Sequence, residues 1–252
     1  MAWHAKPIGG YVKTSTEAQD NAAELAQVLY EMGWCAEAIA ALLGNGAGES
    51  GLNPWRWEDK NDGRPLVPAT YQVWQDRGYG IFQYTPSSKY INNTSATQYA
   101  EYGYGPHFSN SAGKKTDGAA QVAYFSDNVA GDWPKDLYGY YADNFTAIGV
   151  DISKWYYTDY ENFIQGVDNN GNALTIAELV GVFELTYERP GDTYAASSYY
   201  YRVSEAEWWY EHLPEPGPGP GPGPGPGPEP PEPPEPEFPW WILFKFRGRG
   251  LR

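Results

Sequence analysis

The sequence predicts a mainly helical α+β domain with a small lobe of loop or β-hairpin, followed by an extended linker and a short tail. Three observations predict this architecture. Apolar residues recur at helical spacing behind capping residues within residues 1–213. Proline, glycine and glutamate fill residues 214–239, and residues 240–252 are apolar and then basic. We therefore expect a folded domain over 1–213, a Pro/Gly/Glu-rich linker over 214–239 and a separate tail over 240–252.

The composition of the chain limits which classes of function it can have. The chain has 252 residues, 41% hydrophobic and 17% aromatic, which is enough for a real core. A net charge of −15 argues against a nucleic-acid partner, which needs a basic face. The first residues lack the apolar stretch of a signal peptide, and no segment reaches the ~18 apolar residues of a membrane span. These features predict synthesis in the host cytoplasm without a signal peptide.

Residues that could bind metals or act as nucleophiles are sparse. Cys35 is the single cysteine, so no disulfide can form within the chain. Asp168 begins an acidic and amide-rich stretch, but Gly171 and Leu179 do not fit the glycine and glutamate positions of an EF-hand loop. We interpret that stretch as a turn and expect neither a metal nor a cofactor.

Two helices are predicted near the N-terminus. The first begins at Thr14, where Glu17 completes a Thr-x-x-Glu capping box, and it ends near Gly33. The second begins at about Cys35 and ends at the glycines of residues 44–46. This placement puts the following glutamate, Glu49, at or just past a helix C-terminus.

Further elements follow from capping and turn residues. Thr175 with Glu178, and Ser204 with Glu207, form capping boxes that open two later helices. Residues 53–86 are rich in proline, glycine, aspartate and aromatic residues, a composition typical of loops or a small hairpin. We expect this stretch to form one wall of a cleft.

Glu49 is the candidate catalytic acid. Cleavage of a glycosidic bond needs a carboxylic acid that holds a proton, commonly in an apolar setting, and usually a second carboxylate that stays ionised. The small residues 44–48 before Glu49 would let a glycan chain approach closely, and Trp55 and Trp57 after it could line a cleft. The alternative is a surface glutamate that ends a helix.

Three motifs resemble the phage tail lysozyme family. The first is Ala-Ala-Leu-Leu-Gly-Asn at 40–45 followed by Glu-Ser-Gly-Leu-Asn-Pro at 49–54. The second, Asp-Arg-Gly-Tyr-Gly-Ile-Phe-Gln-Tyr-Thr at 76–85, is also similar to goose-type lysozymes and soluble lytic transglycosylases. The third, Phe-Glu-Leu-Thr-Tyr-Glu-Arg-Pro-Gly-Asp at 183–192, is similar to the family's late Glu-x-Pro segment. The motifs come in the family's order.

The resemblance implies a lysozyme-like fold, the glycan strand of peptidoglycan as substrate, and Glu49 as the general acid. Asp76 is the preferred second catalytic carboxylate, because its Asp-Arg-Gly setting is similar to that of the goose-type catalytic aspartate. Tyr84 and Thr85 stand near the place where goose-type enzymes have a further aspartate, so the sequence departs there from a two-aspartate, water-activating arrangement. The other carboxylates downstream of Glu49 have no motif around them; they are Glu58, Asp59 and Asp62.

The motifs also supply candidate substrate-binding residues. Gln83 and Tyr84 offer hydrogen bonds and a stacking face to a sugar amide. Glu188 has two interpretations, support of Glu49 or pairing with Arg189. The predicted substrate-binding residues are Ser50, Trp55, Tyr79, Gln83, Tyr84, Tyr187 and Glu188.

The sequence therefore predicts a muramidase carried by a phage virion, at the tail or its tip, which opens peptidoglycan during cell-wall penetration. One alternative is a lytic transglycosylase that uses the same Glu49. An alternative of another class is a non-catalytic tail component or glycan-binding plug. The stretch from Trp240 to Arg252 is interpreted as docking to another virion protein, as contact with a membrane interface, or as a disordered remnant.

Overall fold

The fold is seen in a computed structural model. Contacts divide the chain into one unit of Met1–Gly217 and another of Pro218–Arg252. The linker and tail predictions lie outside the described residues. Among the helices that the structure describes, none is both long enough and apolar enough to cross a membrane. The described residues are 3–4, 6, 9–54, 56, 77–85, 87, 117–133, 138–155, 158–188 and 197–214.

The described part of the first unit is mainly helical, which confirms the predicted fold class. The α-helices of the described residues are α1 Thr16–Glu31, α2 Ala36–Ser50, α3 Asp117–Asp132, α4 Tyr138–Ala147, α5 Tyr160–Ile164, α6 Ile176–Phe183 and α7 Tyr199–His212. A π-helical segment, Glu184–Glu188, continues directly from α6.

A small hairpin-like turn stands where a loop or hairpin was predicted. Tyr79 and Tyr84 form an antiparallel bridge, with the Tyr79 N–H donating to the Tyr84 carbonyl at 3.2 Å and the Tyr84 N–H to the Tyr79 carbonyl at 2.9 Å. Gly80 and Gln83 in the connecting turn have φ of 89° and 45°. Most of the predicted lobe, including residues 57–76, lies outside the described residues.

Helix α1 begins two residues later than the sequence predicted. Its N-cap is Ser15, whose hydroxyl accepts a hydrogen bond from the Ala18 N–H at 3.2 Å. The capping box expected from Thr14 and Glu17 is therefore wrong. Two neighbouring hydroxyl residues could each cap this helix, and the sequence motif alone selected the wrong one.

The turn and capping box before α6 are confirmed. The Asp168 carboxylate accepts from the backbone N–H groups of Asn170 and Asn172, each at 2.8 Å. The Thr175 hydroxyl then accepts from the Glu178 N–H at 3.2 Å, and the Glu178 carboxylate accepts from the Thr175 N–H at 2.7 Å. The backbone N–H groups of Thr175 and Glu178 at the start of α6 thus both have hydrogen-bond acceptors.

The second predicted capping box is wrong. Helix α7 begins at Tyr199 after the cap residue Ser198, so Ser204 and Glu207 lie inside it. A buried face that starts with Tyr199 packs this helix against α2 and α6, and tertiary packing therefore fixes where it begins.

Helix α2 is the central element and is longer than predicted. Cys35 is its N-cap, with the sulfur accepting from the Ala38 N–H at 3.4 Å. The helix continues through the glycines at 44–46 to Ser50, where Gly51 adopts a left-handed conformation with φ 58°. The Gly51 N–H donates to the Ala47 carbonyl at 3.0 Å and closes the last turn. Glu49 thus belongs to the last turn of a helix.

The glycines of α2 are explained by close packing. A Cβ atom added to Gly44 would collide with the backbone carbonyl of Arg202 and with Ala206, both on α7. Helix interiors disfavour glycine by roughly 1 kcal/mol relative to alanine. The close approach of two helices offsets that cost, which sequence periodicity does not reveal.

We expect Gly44→Ala to lower the free energy of unfolding by about 1 to 3 kcal/mol, the usual cost of overpacking a core. The matched control is Gly131→Ala in α3, where an added Cβ meets nothing within 4 Å. Urea denaturation of both variants tests this. Equal midpoints for the two variants would contradict the packing explanation.

Candidate active site

Glu49 lines an open cleft at the C-terminal end of α2. Its side chain is 22% exposed, so a substrate can reach it. The cleft encloses about 340 Å³ and is bounded by the N-terminal segment, the end of α2, the turn at Gln83 and one residue of α7. It is lined by Gly10, Tyr11, Ala47, Gly48, Glu49, Ser50, Gly51, Arg56, Gln83 and Tyr201. We call this the Glu49 cleft.

The Glu49 cleft adjoins a second cavity of about 190 Å³ along α7. Tyr11, Gly51 and Tyr201 line both cavities. A larger cavity of about 860 Å³ beside α4 is lined by residues 142–153, which belong to none of the three motifs.

Arg202 of α7 holds the Glu49 carboxylate. Its Nη2 donates to Glu49 Oε1, its Nη1 donates to Asn45 Oδ1 at 2.9 Å, and its Nε donates to Ser198 Oγ at 2.9 Å. The arginine side chain is 8% exposed. The sequence predicted an apolar setting for Glu49; the structure gives it an ion pair, which orients the carboxylate.

Gly48 makes room for this ion pair. A Cβ atom at Gly48 would stand 3.0 Å from Arg202 Cγ and 3.2 Å from its Nε. The prediction that the glycines of residues 44–48 admit a glycan is therefore wrong for Gly44, whose free space is filled by α7. Gly48 does line the Glu49 cleft. Because it has no side chain, Arg202 can pack closely against α2.

Two buried glutamates lie behind Arg202. Glu184 is fully buried, with Oε1 accepting from Ser198 Oγ at 3.2 Å and lying 3.5 Å from Arg202 Nε. Glu188 is half-buried as a residue, but its Oε1 atom is buried. Glu184 Oε2 and Glu188 Oε1 have no hydrogen-bond partner among the described residues. We call Glu49, Glu184, Glu188 and Arg202 the Arg202 cluster.

Burial controls the charges of the Arg202 cluster. It raises the pKa of Glu184 to about 7, against the lowering effects of Arg202 and Ser198. Burial, followed by repulsion from the other carboxylates, raises the pKa of Glu188 well above its usual range. Burial alone would lower the pKa of Arg202, but the three carboxylates together raise it. The arginine therefore stays charged, and burial favours the protonated form of both buried carboxyl groups relative to an exposed glutamate.

Ser50 and Gln83 line the Glu49 cleft, although their polar groups make internal hydrogen bonds. The buried Ser50 hydroxyl donates to the carbonyls of Gly46 and Ile81, each at 3.0 Å. Gln83 Nε2 donates to the carbonyls of Arg56 at 3.1 Å and Gly80 at 2.9 Å. These bonds fasten the hairpin turn to the end of α2. Substrate contact by either side chain stays a prediction.

The predicted tyrosines lie deeper in the domain. Tyr79 is fully buried, and the buried Tyr84 donates its hydroxyl to the Gln121 carbonyl at 3.0 Å. Tyr187 is half-buried and stacks on Phe183 with ring centroids 5.0 Å apart. These rings support the walls of the site from behind, and their contact with substrate stays a prediction.

Two predicted residues, Trp55 and Asp76, lie outside the described residues. Arg202 and Glu184 were not predicted as site residues. One signal was present: Arg202 lies on the same helical face as Ala206 and Trp209, which are apolar and buried. A charged residue on an apolar helical stripe indicates a buried partner.

The chain thus contains a helical domain whose central helix, α2, presents Glu49 to an open cleft. The family profile described as phage tail lysozyme matches residues 20–213. The chain belongs to the phage tail lysozyme family. Membership identifies a lysozyme-like domain of a class that acts on peptidoglycan.

One curated relative adds a weaker similarity. Morphogenesis protein 1 of Bacillus phage B103 is 33% identical over 72 residues. That stretch is 29% of this chain and 17% of the relative. The chain thus matches only about a sixth of the relative's length.

Proposed function

We propose that this domain cleaves the glycan strand of peptidoglycan, with Glu49 as the general acid. The observation that carries the proposal is the position of Glu49: a partly exposed carboxyl group in an open cleft, held in one orientation by Arg202. The family supports peptidoglycan as the substrate. Glu49 gives its proton to the glycosidic oxygen as the bond from that oxygen to the sugar carbon breaks.

The aromatic side chains of the Glu49 cleft suit a sugar substrate. Tyr11 and Tyr201 line both this cleft and the second cavity, and aromatic faces pack well against sugar rings. Arg56 and Gln83 also line the cleft and bring polar side chains to it. Aromatic faces together with polar groups suit a substrate that carries both ring faces and hydroxyl groups.

We propose hydrolysis, a muramidase reaction, with Asp76 as the second carboxylate. In hydrolysis water adds to the sugar carbon, whereas in a lytic transglycosylase a hydroxyl of the same sugar closes on that carbon. The two reactions give products that differ in mass by one water. The transglycosylase needs no second carboxylate as nucleophile or base, so the role of Asp76 separates the two candidates.

We expect Asp76→Asn to lower activity more than Asp59→Asn or Asp62→Asn, because only Asp76 stands in a motif similar to the goose-type site. Mass spectrometry of the soluble fragments is the companion measurement, with the wild-type products carrying the added water. Anhydro products together with equal activity of all three variants would establish the transglycosylase instead.

We also propose that the protein is carried in the phage virion and opens the cell wall during entry. The family name and the name of the relative, a morphogenesis protein, support a place in the particle. Docking of Trp240–Arg252 to another virion protein remains a proposal from sequence, as does contact of this tail with a membrane. Mass spectrometry of purified particles tests for the chain, and its absence from them would contradict this proposal.

A further inference from the structure

The N-terminal segment, residues 9–13, is packed onto the C-terminal end of α2. The Tyr11 N–H donates to the Gly51 carbonyl at 2.8 Å. A Cβ atom added to Gly10 would stand only 2.7 Å from the Ser50 carbonyl oxygen, so the two stretches of backbone are in direct contact. The segment is therefore a fixed wall of the candidate active site, and its side chains occupy defined positions there.

A lysine of this segment links it to α7 at the second cavity. Lys13 Nζ donates to Glu205 Oε1 at 2.9 Å and lies 5.6 Å from the centre of the Trp208 ring. Both Lys13 and Glu205 line the second cavity. The match to the family profile begins at residue 20, so the N-terminal segment precedes the matched residues. One wall of the second cavity thus comes from outside the family match.

The second cavity offers apolar faces together with polar groups. Val12 and Tyr201, which line it, are 68% and 55% exposed. The charged residues among those that line it are Lys13 and Glu205, which pair with each other. Trp209 also lines the cavity, and its buried Nε1 has no acceptor among the described residues. Buried indole N–H groups usually have a hydrogen-bond partner, so one donor on a residue of this cavity is unsatisfied.

These groups suit an N-acetylated sugar. Such a sugar presents C–H faces, which pack on aromatic and aliphatic side chains, and hydroxyl and acetamido groups, which bond to charged side chains. The carboxylates of a peptidoglycan stem peptide suit the cavity less well, because the charges of Lys13 and Glu205 cancel. Tyr11, Gly51 and Tyr201 line the Glu49 cleft as well, so an occupant of the second cavity lies beside the occupant of that cleft.

We propose that the second cavity binds a sugar of the glycan strand next to the bond cleaved at Glu49, and that Lys13 and Glu205 determine how tightly this sugar is bound. This inference rests on the proposed function and adds a binding site to it. The Lys13 ammonium group has three N–H donors, of which the ion pair uses one, and the Glu205 carboxylate accepts from sugar hydroxyl groups. These contacts lie away from the breaking bond, so they stabilise bound substrate and transition state alike.

The test measures the Kd of the full chain for glycan strands without stem peptides, in the Glu49→Gln background so that the strands stay intact. Lys13→Met is expected to weaken binding by about tenfold, the scale of losing one hydrogen bond to a charged group. Glu205→Gln is expected to weaken it as well. Lys154→Met is the matched control, because Lys154 pairs with Glu178 at 3.0 Å and lines neither cavity. It should leave the Kd unchanged.

A second measurement separates binding from chemistry. With Glu49 present, Lys13→Met should raise KM for the same strands more than it lowers kcat, whereas a damaged fold would lower kcat. Circular dichroism establishes which variants are folded, and Glu205→Gln keeps the test open if Lys13→Met is not.

Three results would contradict these proposals in different ways. Folded variants that bind the strands as tightly as Lys154→Met would overturn this inference and leave the role of Glu49 in place. Binding weakened only for intact peptidoglycan, and not for strands without stem peptides, would overturn it by identifying a stem-peptide site. Full activity of Glu49→Gln would overturn the proposed function itself.

Discussion

Glu49→Gln is expected to lower the rate of peptidoglycan cleavage by at least ~100-fold, the usual scale for losing a general acid. Glutamine keeps the shape of the side chain but has no proton to give to the glycosidic oxygen. Initial rates of glycan release from purified cell walls measure the effect. The pH should be set at the wild-type optimum, so that a shifted profile is not mistaken for lost chemistry.

The fold should survive this substitution at a modest cost. The amide oxygen of glutamine can still accept a hydrogen bond from Arg202 Nη2, but a charged partner is lost, which costs about 1 to 2 kcal/mol. Sequence considerations alone predict almost no change in stability, because they do not include Arg202. Glu31→Gln, an exposed change on α1, is the matched control. A Glu49→Gln variant that clears walls as fast as this control would refute the assignment.

Arg202→Met is expected to lower the free energy of unfolding by about 3 to 5 kcal/mol, the scale for removing one partner of a buried ion pair. The change leaves Glu184 without its nearest cation and takes from Asn45 the donor at 2.9 Å. The loss should increase as pH rises through about 7, because Glu184 must then ionise with no nearby positive charge. Urea denaturation at pH 6 and pH 8 measures both effects.

Lys13→Met is the matched control for Arg202→Met. Lys13 pairs with Glu205 at 2.9 Å, but its side chain is 24% exposed, so this pair should contribute no more than ~1 kcal/mol. If the two variants unfold at the same urea concentration, Arg202 does not stabilise the fold in the way its contacts indicate.

Much of the fold was predictable because it depends on local signals. The Thr175 capping box and the turn at Asp168 are short-range hydrogen-bond patterns, and both are confirmed. The predicted end of α2 failed at Gly44, because the residue that compensates for glycine there belongs to α7, far away in sequence. The start of α7 failed at Ser204 for a similar reason: packing overrides a capping motif.

For the candidate site too, the sequence predicted what depends on local residues and did not predict what depends on distant contacts. Motifs pointed to Glu49 because the residues at the end of α2 form a recognisable local sequence. Arg202 lies 153 residues away from it, and no local pattern links the two. The four-residue spacing of Glu184 and Glu188 is visible in the sequence. The raised pKa values of their carboxyl groups come from burial, which the sequence does not show.

The most direct test of glycan cleavage uses peptidoglycan glycan strands from which the stem peptides have been removed. The wild-type chain is incubated with these strands, and their length distribution is followed by size-exclusion chromatography, with Glu49→Gln beside it. Our account predicts that the wild type shortens the strands steadily and that the variant leaves them at their original length. Strands that remain intact with the folded wild type would contradict it, and binding without shortening would identify a glycan-binding plug.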